Sequence, residues 1–147
     1  MLLLGTKNIG TQTVLTDGLI NIGSGYRRYC KKNACGFPTF NATANGVSLQ
    51  QEGIYHITAT LVGSGDVAGV VTVQLAQNGI LVDGAFSSET ITTPDTELRT
   101  FVIDYYVLVD KDCILGREST IAQTISLLNT GVDATFTSVV VNVDKVV

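Results

Sequence analysis

Side chains suited to acid–base catalysis are scarce in this sequence, which contains a single histidine, His56, and no tryptophan. It has neither the Gly-x-Ser-x-Gly segment of a nucleophile elbow nor a glycine-rich phosphate or dinucleotide motif. His56 has threonines as its same-face neighbours, so we interpret it as a surface or interface residue of a strand. Proton transfer or ligand binding by His56 is the alternative. We expect a protein that is not an enzyme and uses no cofactor.

Charged residues are also few. They make up 15% of the chain, with a formal net charge of -4 and an isoelectric point near 4.7. A dedicated nucleic-acid binder needs a basic face that releases counterions from phosphate, so we expect no nucleic acid as a partner. So few charges leave too little polar surface to cover a monomer of 147 residues. We therefore expect part of the surface to be buried in an oligomer.

No apolar run approaches the roughly 20 residues that a transmembrane helix requires. The segment MLLLGTKNIG has three consecutive leucines, but no basic region precedes them and no cleavage site follows a longer apolar stretch. We expect a protein that is made in the cytoplasm without a signal peptide and is not inserted in a membrane.

Cysteine is rare, with three residues in the chain, Cys30, Cys35 and Cys113. In a cytoplasmic product they are most simply free thiols, although Cys30 and Cys35 could form a disulfide in oxidising surroundings, and the sequence leaves this open. A zinc site would need Cys113 and His56 from distant segments, because no second pair of ligands lies near the first two cysteines. We expect no metal site.

Two groups of carboxylates require an interpretation. Asp110 and Asp112 flank Lys111 in a polar turn, which is either a calcium site or a plain connection between strands. Asp104 stands within a long apolar segment, where a buried carboxylate needs a cation. That cation would be Arg99 or a basic residue of a neighbouring chain, and the alternative is that Asp104 points into solvent at a sheet edge.

The residues that are abundant are those of a β protein. Hydrophobic residues make up 45%, and Thr, Val and Ile recur throughout. Apolar and polar residues alternate in GIYHITATLVG and VVTVQLAQNGILV, and Asn78-Gly79 supplies the positive φ of a hairpin turn. The segment SSETITTPDTE is predicted to be a loop. We expect roughly eight to ten short strands in a sandwich or jelly roll. The inward side chains of the two alternating strands are predicted to be Tyr55, Ile57, Ala59, Leu61, Val71, Val73 and Leu75.

Two later segments, LRTFVIDYYVLVD and ATFTSVVVNVDKVV, are apolar on both faces. A sandwich with one wet face would not require this pattern, so one face should pack in the core and the other on a neighbouring subunit. In the first segment one face consists of Phe101, Ile103, Tyr105 and Val107, and the other of Val102, Tyr106 and Leu108.

Three segments carry a resemblance to a known family: QQEGIYHITATLVG, VTVQLAQNGILVDGA and ISLLNTGVDATFTSVVVNVDKV. Together they resemble the complement-type and tumour-necrosis-factor-like jelly rolls, in particular the C-terminal domain of collagen-like spore-surface glycoproteins. The resemblance covers residues 46 to 147 and implies a homotrimer whose final strands line the three-fold axis. We place the jelly-roll domain at 37–147, with Gly-rich strands and a basic loop in 1–36 as part of it or attached to it. The trimer interface is expected to contain Phe101, Ile103, Tyr105, Tyr106, Val139, Val140 and Val141.

The segment YRRYCKKNAC holds four of the nine Lys and Arg residues. On a trimer it would be presented three times, so we expect a partner-binding attachment loop that contacts an acidic protein surface, with tyrosines as anchors. The alternative is a solvated loop whose charges keep an apolar domain in solution. The residues assigned to the attachment loop are Tyr26, Arg27, Arg28, Tyr29, Lys31 and Lys32.

These expectations combine into a structural and interaction protein, a trimeric β knob that decorates a larger protein assembly such as a capsid or tail. The lack of a collagen stalk makes the chain similar in type to small bacteriophage proteins, such as head-fibre, capsid decoration and baseplate proteins, so we expect it in a virion. The alternatives are a spore or cell-surface protein, or a receptor- or glycan-binding module that uses loops 63–69, 84–96 and 129–134. The sequence does not give the orientation on the particle.

Overall fold

The computed structural model describes residues 2–28, 39–41, 46–50, 52–112, 119–120 and 123–146, and side chains within 4–25, 46–50, 52–110 and 123–146. Within these residues the regular elements are all strands, which confirms the predicted fold class. They are β1 (Leu2–Asn8), β2 (Gln12–Val14), β3 (Gly18–Leu19), β4 (Ser24–Arg28), β5 (Thr39–Asn41), β6 (Gly46–Leu49), β7 (Gly53–Gly65), β8 (Gly69–Gln77), β9 (Ile80–Ile91), β10 (Arg99–Val109), β11 (Lys111–Asp112), β12 (Ser119–Thr120), β13 (Gln123–Asn129) and β14 (Ala134–Lys145).

Two antiparallel sheets form the sandwich. The first has the order β10-β7-β14-β1-β4, with β2 also pairing to β14. The second has the order β5-β6-β13-β8-β9, with β3 also pairing to β13. The closing strand β14 thus lies between β7 and β1 in the middle of the first sheet, and it is not an exposed edge, as its apolar pattern predicts.

The N-terminal strands are built into these same sheets. β1 pairs along β14 and β4 pairs along β1, which extends the first sheet by two strands. Thr6 in β1 stands opposite Val141, and its side chain is fully buried. The part of the segment 1–36 that the structure describes therefore contributes to the core of the sandwich.

Period-two alternation decides which side chains meet between the sheets. All seven inward positions predicted on β7 and β8 are at most 1% exposed, which confirms them. On β14 the same side carries Val139, Val141 and Val143, which are also buried. Phe101 and Phe136 pack edge to face inside the sandwich, with ring centroids 6.0 Å apart. Each such side chain contributes about 1.5–3 kcal/mol when fully buried, so the apolar faces are the main source of stability.

The predicted hairpin turn joins β8 to β9. Asn78 and Gly79 have φ angles of 54° and 80°, the left-handed pair that a two-residue turn of this hand requires. The Asn78 side chain also holds β13, since its Oδ1 accepts from the Thr124 N–H at 2.8 Å. The turn therefore fixes both the hairpin and its neighbouring strand.

The loop predicted at SSETITTPDTE begins later than expected. Its first five residues belong to β9, where Ser88 lies opposite Thr72 and the two hydroxyls are 2.8 Å apart. The alternation continues to the buried Ile91, and only the residues after it form the connection to β10. The prediction of a loop at 87–91 was wrong because hydroxyl side chains on an outward face resemble loop composition.

Glu97 holds the connection between β9 and β10 in place through hydrogen bonds. Its carboxylate accepts hydrogen bonds from the N–H groups of Thr92 and Thr93, at 2.9 and 3.3 Å, and it also bonds the Arg99 guanidinium at 2.6 Å. The hydrogen bonds from the Thr92 and Thr93 backbone, followed by the positive charge of Arg99, lower the pKa of Glu97 below its ordinary value.

Candidate functional site

Alternate residues of β7, β10 and β14 point away from the core and form one continuous surface, here called the outer face of the first sheet. Strand register sets these residues in rows, for example Val102 beside Thr60 and Thr60 beside Val140. The outer face consists of Ile54, His56, Thr58, Thr60 and Val62 of β7, Thr100, Val102, Asp104, Tyr106 and Leu108 of β10, and Ser138, Val140, Asn142 and Asp144 of β14.

Large apolar side chains are exposed on this face. Val102, Tyr106 and Leu108 of the edge strand β10 are 54%, 59% and 60% exposed. Ile54 stands opposite Leu108, and the Val146 N–H donates to the Ile54 carbonyl at 2.7 Å, so one end of the face adds two more exposed apolar residues. Contiguous exposed apolar groups mark surfaces that contact a partner.

Ionisable side chains stand together beside this end of the face. His56 Nε2 lies 2.5 Å from Asp104 Oδ1, and the His56 ring stacks on the Tyr106 ring with centroids 4.6 Å apart and planes inclined by 18°. Asp144 occupies the position opposite His56 on β14. Its Oδ1 atom is buried and has no hydrogen-bond partner among the described residues. A carboxylate oxygen removed from water without a donor is unfavourable unless positive charge is close.

Asp104 is paired with His56 and not with Arg99. The Arg99 guanidinium bonds Glu97 instead, at the start of β10. The Asp104 side chain is 62% exposed on the edge strand of the sheet, which confirms the alternative of a solvent-facing carboxylate. The interpretation of His56 as an outward strand residue with threonine neighbours agrees with its position beside Thr58.

The seven residues predicted for the trimer interface fall on two different sides of the sheet. Phe101, Ile103, Val139 and Val141 are at most 3% exposed and pack in the core of a single chain. Tyr105 is partly buried against the same core. A further chain cannot cover side chains that are already covered, so of the seven only Tyr106 and Val140, on the outer face, are available for contact with a neighbour.

The predicted trimer interface omitted several residues of the outer face. Ile54 lies two positions before His56 on β7, and Asp144 stands opposite His56 on β14, so both share its face. Val102 and Leu108 were recognised as the second apolar side of their strand but were not assigned to the interface. The period-two pattern would have found all four if one side of each strand had been followed consistently.

The attachment loop lies mostly outside the described residues. The backbone of residues 26–28 belongs to β4, whose positions 27 and 28 stand opposite Gly5 and Leu4 of β1. The described residues do not include Tyr29, Lys31 and Lys32, nor the three cysteines, nor the side chains of Tyr26, Arg27 and Arg28. The attachment role of this loop remains a prediction.

Connections considered for the receptor-binding alternative meet at one end of the sandwich. The Asp66 N–H donates to the Asp133 carbonyl at 2.8 Å, and the Asp95 N–H donates to the Gly65 carbonyl at 3.0 Å. Phe86, the one aromatic residue of these segments, lies instead in β9 opposite Gln74, within a sheet. The connections therefore lie close together, but Phe86, whose ring a sugar could stack on, lies in a strand and not in these connections.

Within the residues that the structure describes, no three His, Cys, Asp or Glu side chains are grouped as ligands for an ion. The described portion also has no helix with the length and apolar character needed to cross a bilayer.

Solved structures share this fold over almost the entire chain. The Eiger TNF of S. frugiperda has a TM-score of 0.64 at 12% identity, covering 99% of this chain and 93% of that one. For the globular domain of zebrafish complement 1qA protein the TM-score is 0.60 at 6% identity, with 98% and 96% covered. For PRD1 vertex protein P5 it is 0.50 at 16% identity, with 99% and 97% covered. No family model matches the sequence, and no curated protein matches it significantly. The chain has the tumour-necrosis-factor and complement-like jelly-roll fold that its sequence resemblance implied.

Proposed function

We propose that this protein is a non-enzymatic structural module, a homotrimeric jelly-roll knob that decorates a larger assembly, in particular a bacteriophage virion. The observation that carries the proposal is the outer face of the first sheet. Three large apolar side chains of β10 are more than half exposed there, while the opposite side of the same strand is already buried. Covering these side chains removes apolar surface from water, which stabilises an assembly by about 25 cal/mol per Å².

Further copies of the same chain are the partners that the chemistry of this face suits. The exposed apolar residues are concentrated on β10 at the sheet edge, and Thr60, Val140 and Asn142 lie further in, on β7 and β14. An edge of one copy that packs on the inner strands of the next makes a head-to-tail contact, which gives a closed ring when the rotation between successive copies closes. A ring of three agrees with the trimer that the sequence resemblance implies.

Attachment to the larger assembly is assigned to the basic loop. A trimer would present its tyrosines and four basic residues three times, and three weak contacts gain affinity through effective concentration. An acidic protein surface is the partner that such a loop suits. The fold that the chain shares with PRD1 vertex protein P5 supports a place in a virion.

The mass in solution tests the oligomeric part of the proposal. Sedimentation of the wild-type chain should give three times its 15.6 kDa. Val102→Asp places a carboxylate on the outer face and should give monomers. Val70→Asp is the matched control, because Val70 is similarly exposed, at 47%, but lies on the second sheet. A wild-type chain that remains monomeric at all concentrations, or a Val102→Asp chain that still forms trimers, contradicts the proposal.

Mass spectrometry of purified particles from the source organism tests the virion part. Peptides of this chain should accompany the major capsid protein through a density gradient at constant ratio. Their confinement to the unassembled fraction would overturn the assignment to a virion while leaving the trimer untouched.

A further inference from the structure

We infer that self-association through the outer face of the first sheet is proton-linked, and that His56 with Asp104 and Asp144 forms the sensor. This inference rests on the proposed function, since it assumes that the outer face is buried between copies. It concerns a property that the apolar side chains do not supply, namely a response of assembly to pH between about 5 and 8, where imidazole ordinarily changes its charge.

The first support is the arrangement around His56. β10 contributes Asp104, whose Oδ1 is 2.5 Å from His56 Nε2, and Tyr106, whose ring is stacked on the imidazole. β14 contributes Asp144 directly opposite His56. His56 therefore has the Asp104 carboxylate within hydrogen-bond distance from one neighbouring strand and Asp144 at the paired position on the other.

Other charged groups of this surface lie further away. Lys7 stands on β1 opposite Val140, two rows along from His56 and beyond β14. Glu52 and Asp110 lie past the ends of β7 and β10. Lys145 lies opposite Tyr55, in the row that faces the core. Within the described side chains, Asp104 and Asp144 are thus the carboxylates that strand pairing places nearest to His56.

The second support is the state of Asp144. Its Oδ1 atom is already buried in a single chain without a hydrogen-bond donor among the described residues. Burial of the face between subunits would remove the remaining water from both carboxylates. With neutral imidazole the cluster would then hold two negative charges, and with imidazolium it would hold one net negative charge and an ion pair. Because unpaired buried charge is costly, the associated form favours the protonated histidine.

The direction of the pH effect follows from proton linkage. If the assembled state binds up to one more proton per subunit than the free chain, lowering the pH strengthens association by at most about tenfold per subunit and pH unit. The effect ends once the histidine is protonated in both states. Assembly should thus be tighter at pH 5.5 than at pH 7.5.

Subunit exchange between ¹⁵N-labelled and unlabelled full-length chains, followed by native mass spectrometry, tests this even for a tight oligomer. We expect exchange to be at least about fivefold slower at pH 5.5 than at pH 7.5 for the wild type. His56→Gln should abolish this difference. The double variant Asp104→Asn with Asp144→Asn should exchange slowly already at pH 7.5, because the buried negative charge is gone, and should not become slower at pH 5.5, where the imidazolium would have no carboxylate partner.

Asp83→Asn is the matched control, since it removes one carboxylate at an exposed position of β9 in the second sheet. It should keep the wild-type pH response, whereas a general effect of net charge would change it. Oligomers whose exchange is independent of pH, or whose pH response survives in His56→Gln, would overturn the inference and leave the proposed oligomer standing. A wild type that is monomeric at both pH values would overturn both.

Discussion

Two adjacent valines of β14 offer a sharp test of the assignment of faces. Val141 points into the core, is 3% exposed and lines a small apolar cavity together with Ile57 and Val143. Val140 points to the outer face, opposite Thr60 on one side and Lys7 on the other. Substitution to Asp should therefore have a different effect at each position, on folding at Val141 and on assembly at Val140.

Val141→Asp should prevent folding. Loss of the buried valine side chain removes about 1.5–3 kcal/mol of transfer free energy. Confinement of a carboxylate among apolar neighbours costs several kcal/mol more, even if the group becomes protonated instead. The sum is comparable to the whole stability of about 5–15 kcal/mol that a domain of this size has. Val141→Ala separates volume from charge, because it should lose only about 2 kcal/mol and still fold.

Val140→Asp should fold and should fail to assemble. An outward substitution away from buried groups changes the free energy of unfolding by only about 0.5 kcal/mol. On the outer face the new charge would be buried between copies, where it costs several kcal/mol. Urea unfolding followed by circular dichroism measures the first effect, and sedimentation measures the second.

The two variants must differ for the reasoning to hold. If Val141→Asp unfolds at the same urea concentration as the wild type, the assignment of that side to the core is wrong. If Val140→Asp retains the oligomeric mass of the wild type, the outer face is not the interface.

Three further predictions concern a buried hydroxyl, a loop carboxylate and the attachment loop. Thr6 Oγ1 is buried without a hydrogen-bond partner among the described residues, so Thr6→Val should raise the free energy of unfolding by about 1 kcal/mol in urea titrations, and unchanged or lower stability would show that the hydroxyl is satisfied. Because the pKa of Glu97 is lowered in the folded chain, its stabilising effect is fully present above the ordinary value of 4.5 and is lost as pH falls through the lowered pKa. Glu97→Gln should therefore lower the thermal midpoint at pH 7 and lower it progressively less as the pH is reduced below 4.5, and an equal loss across this range would contradict this. Serine replacement of four basic residues should leave the thermal midpoint nearly unchanged and weaken particle binding in a pull-down assay, and unfolding would refute the surface assignment; these residues are Arg27, Arg28, Lys31 and Lys32.

The sequence predicted strands and buried faces where alternation was one-sided. β7 is the clearest case, since its apolar residues occupy one parity and threonines the other, so only one face can enter the core. The Asn78-Gly79 turn was equally predictable, because two consecutive positive φ angles favour these residue types. In both cases the determining interactions are local along the chain.

Pairing across strands was not predictable in the same way. For Asp104 the sequence offered Arg99, a basic residue of a neighbouring chain or exposure to solvent, and none of these included His56, which register brings from 48 positions away to the side of Asp104. Alternation gives the period of a strand and not its register with a neighbour. The cluster of His56, Asp104 and Asp144 depends entirely on that register, so the pattern of a single segment could not have predicted it.

Strands that are apolar on both sides posed a different problem. In β10 either Phe101 and Ile103 or Val102 and Tyr106 could have entered the core, because both sets satisfy the pattern. The structure buries the first set, which packs with Phe136 inside the sandwich, and leaves the second exposed. One chain has only one interior, so it can bury only one of two apolar sides. The other apolar side stays on the surface, and it is these exposed residues that the proposed contact between copies would cover.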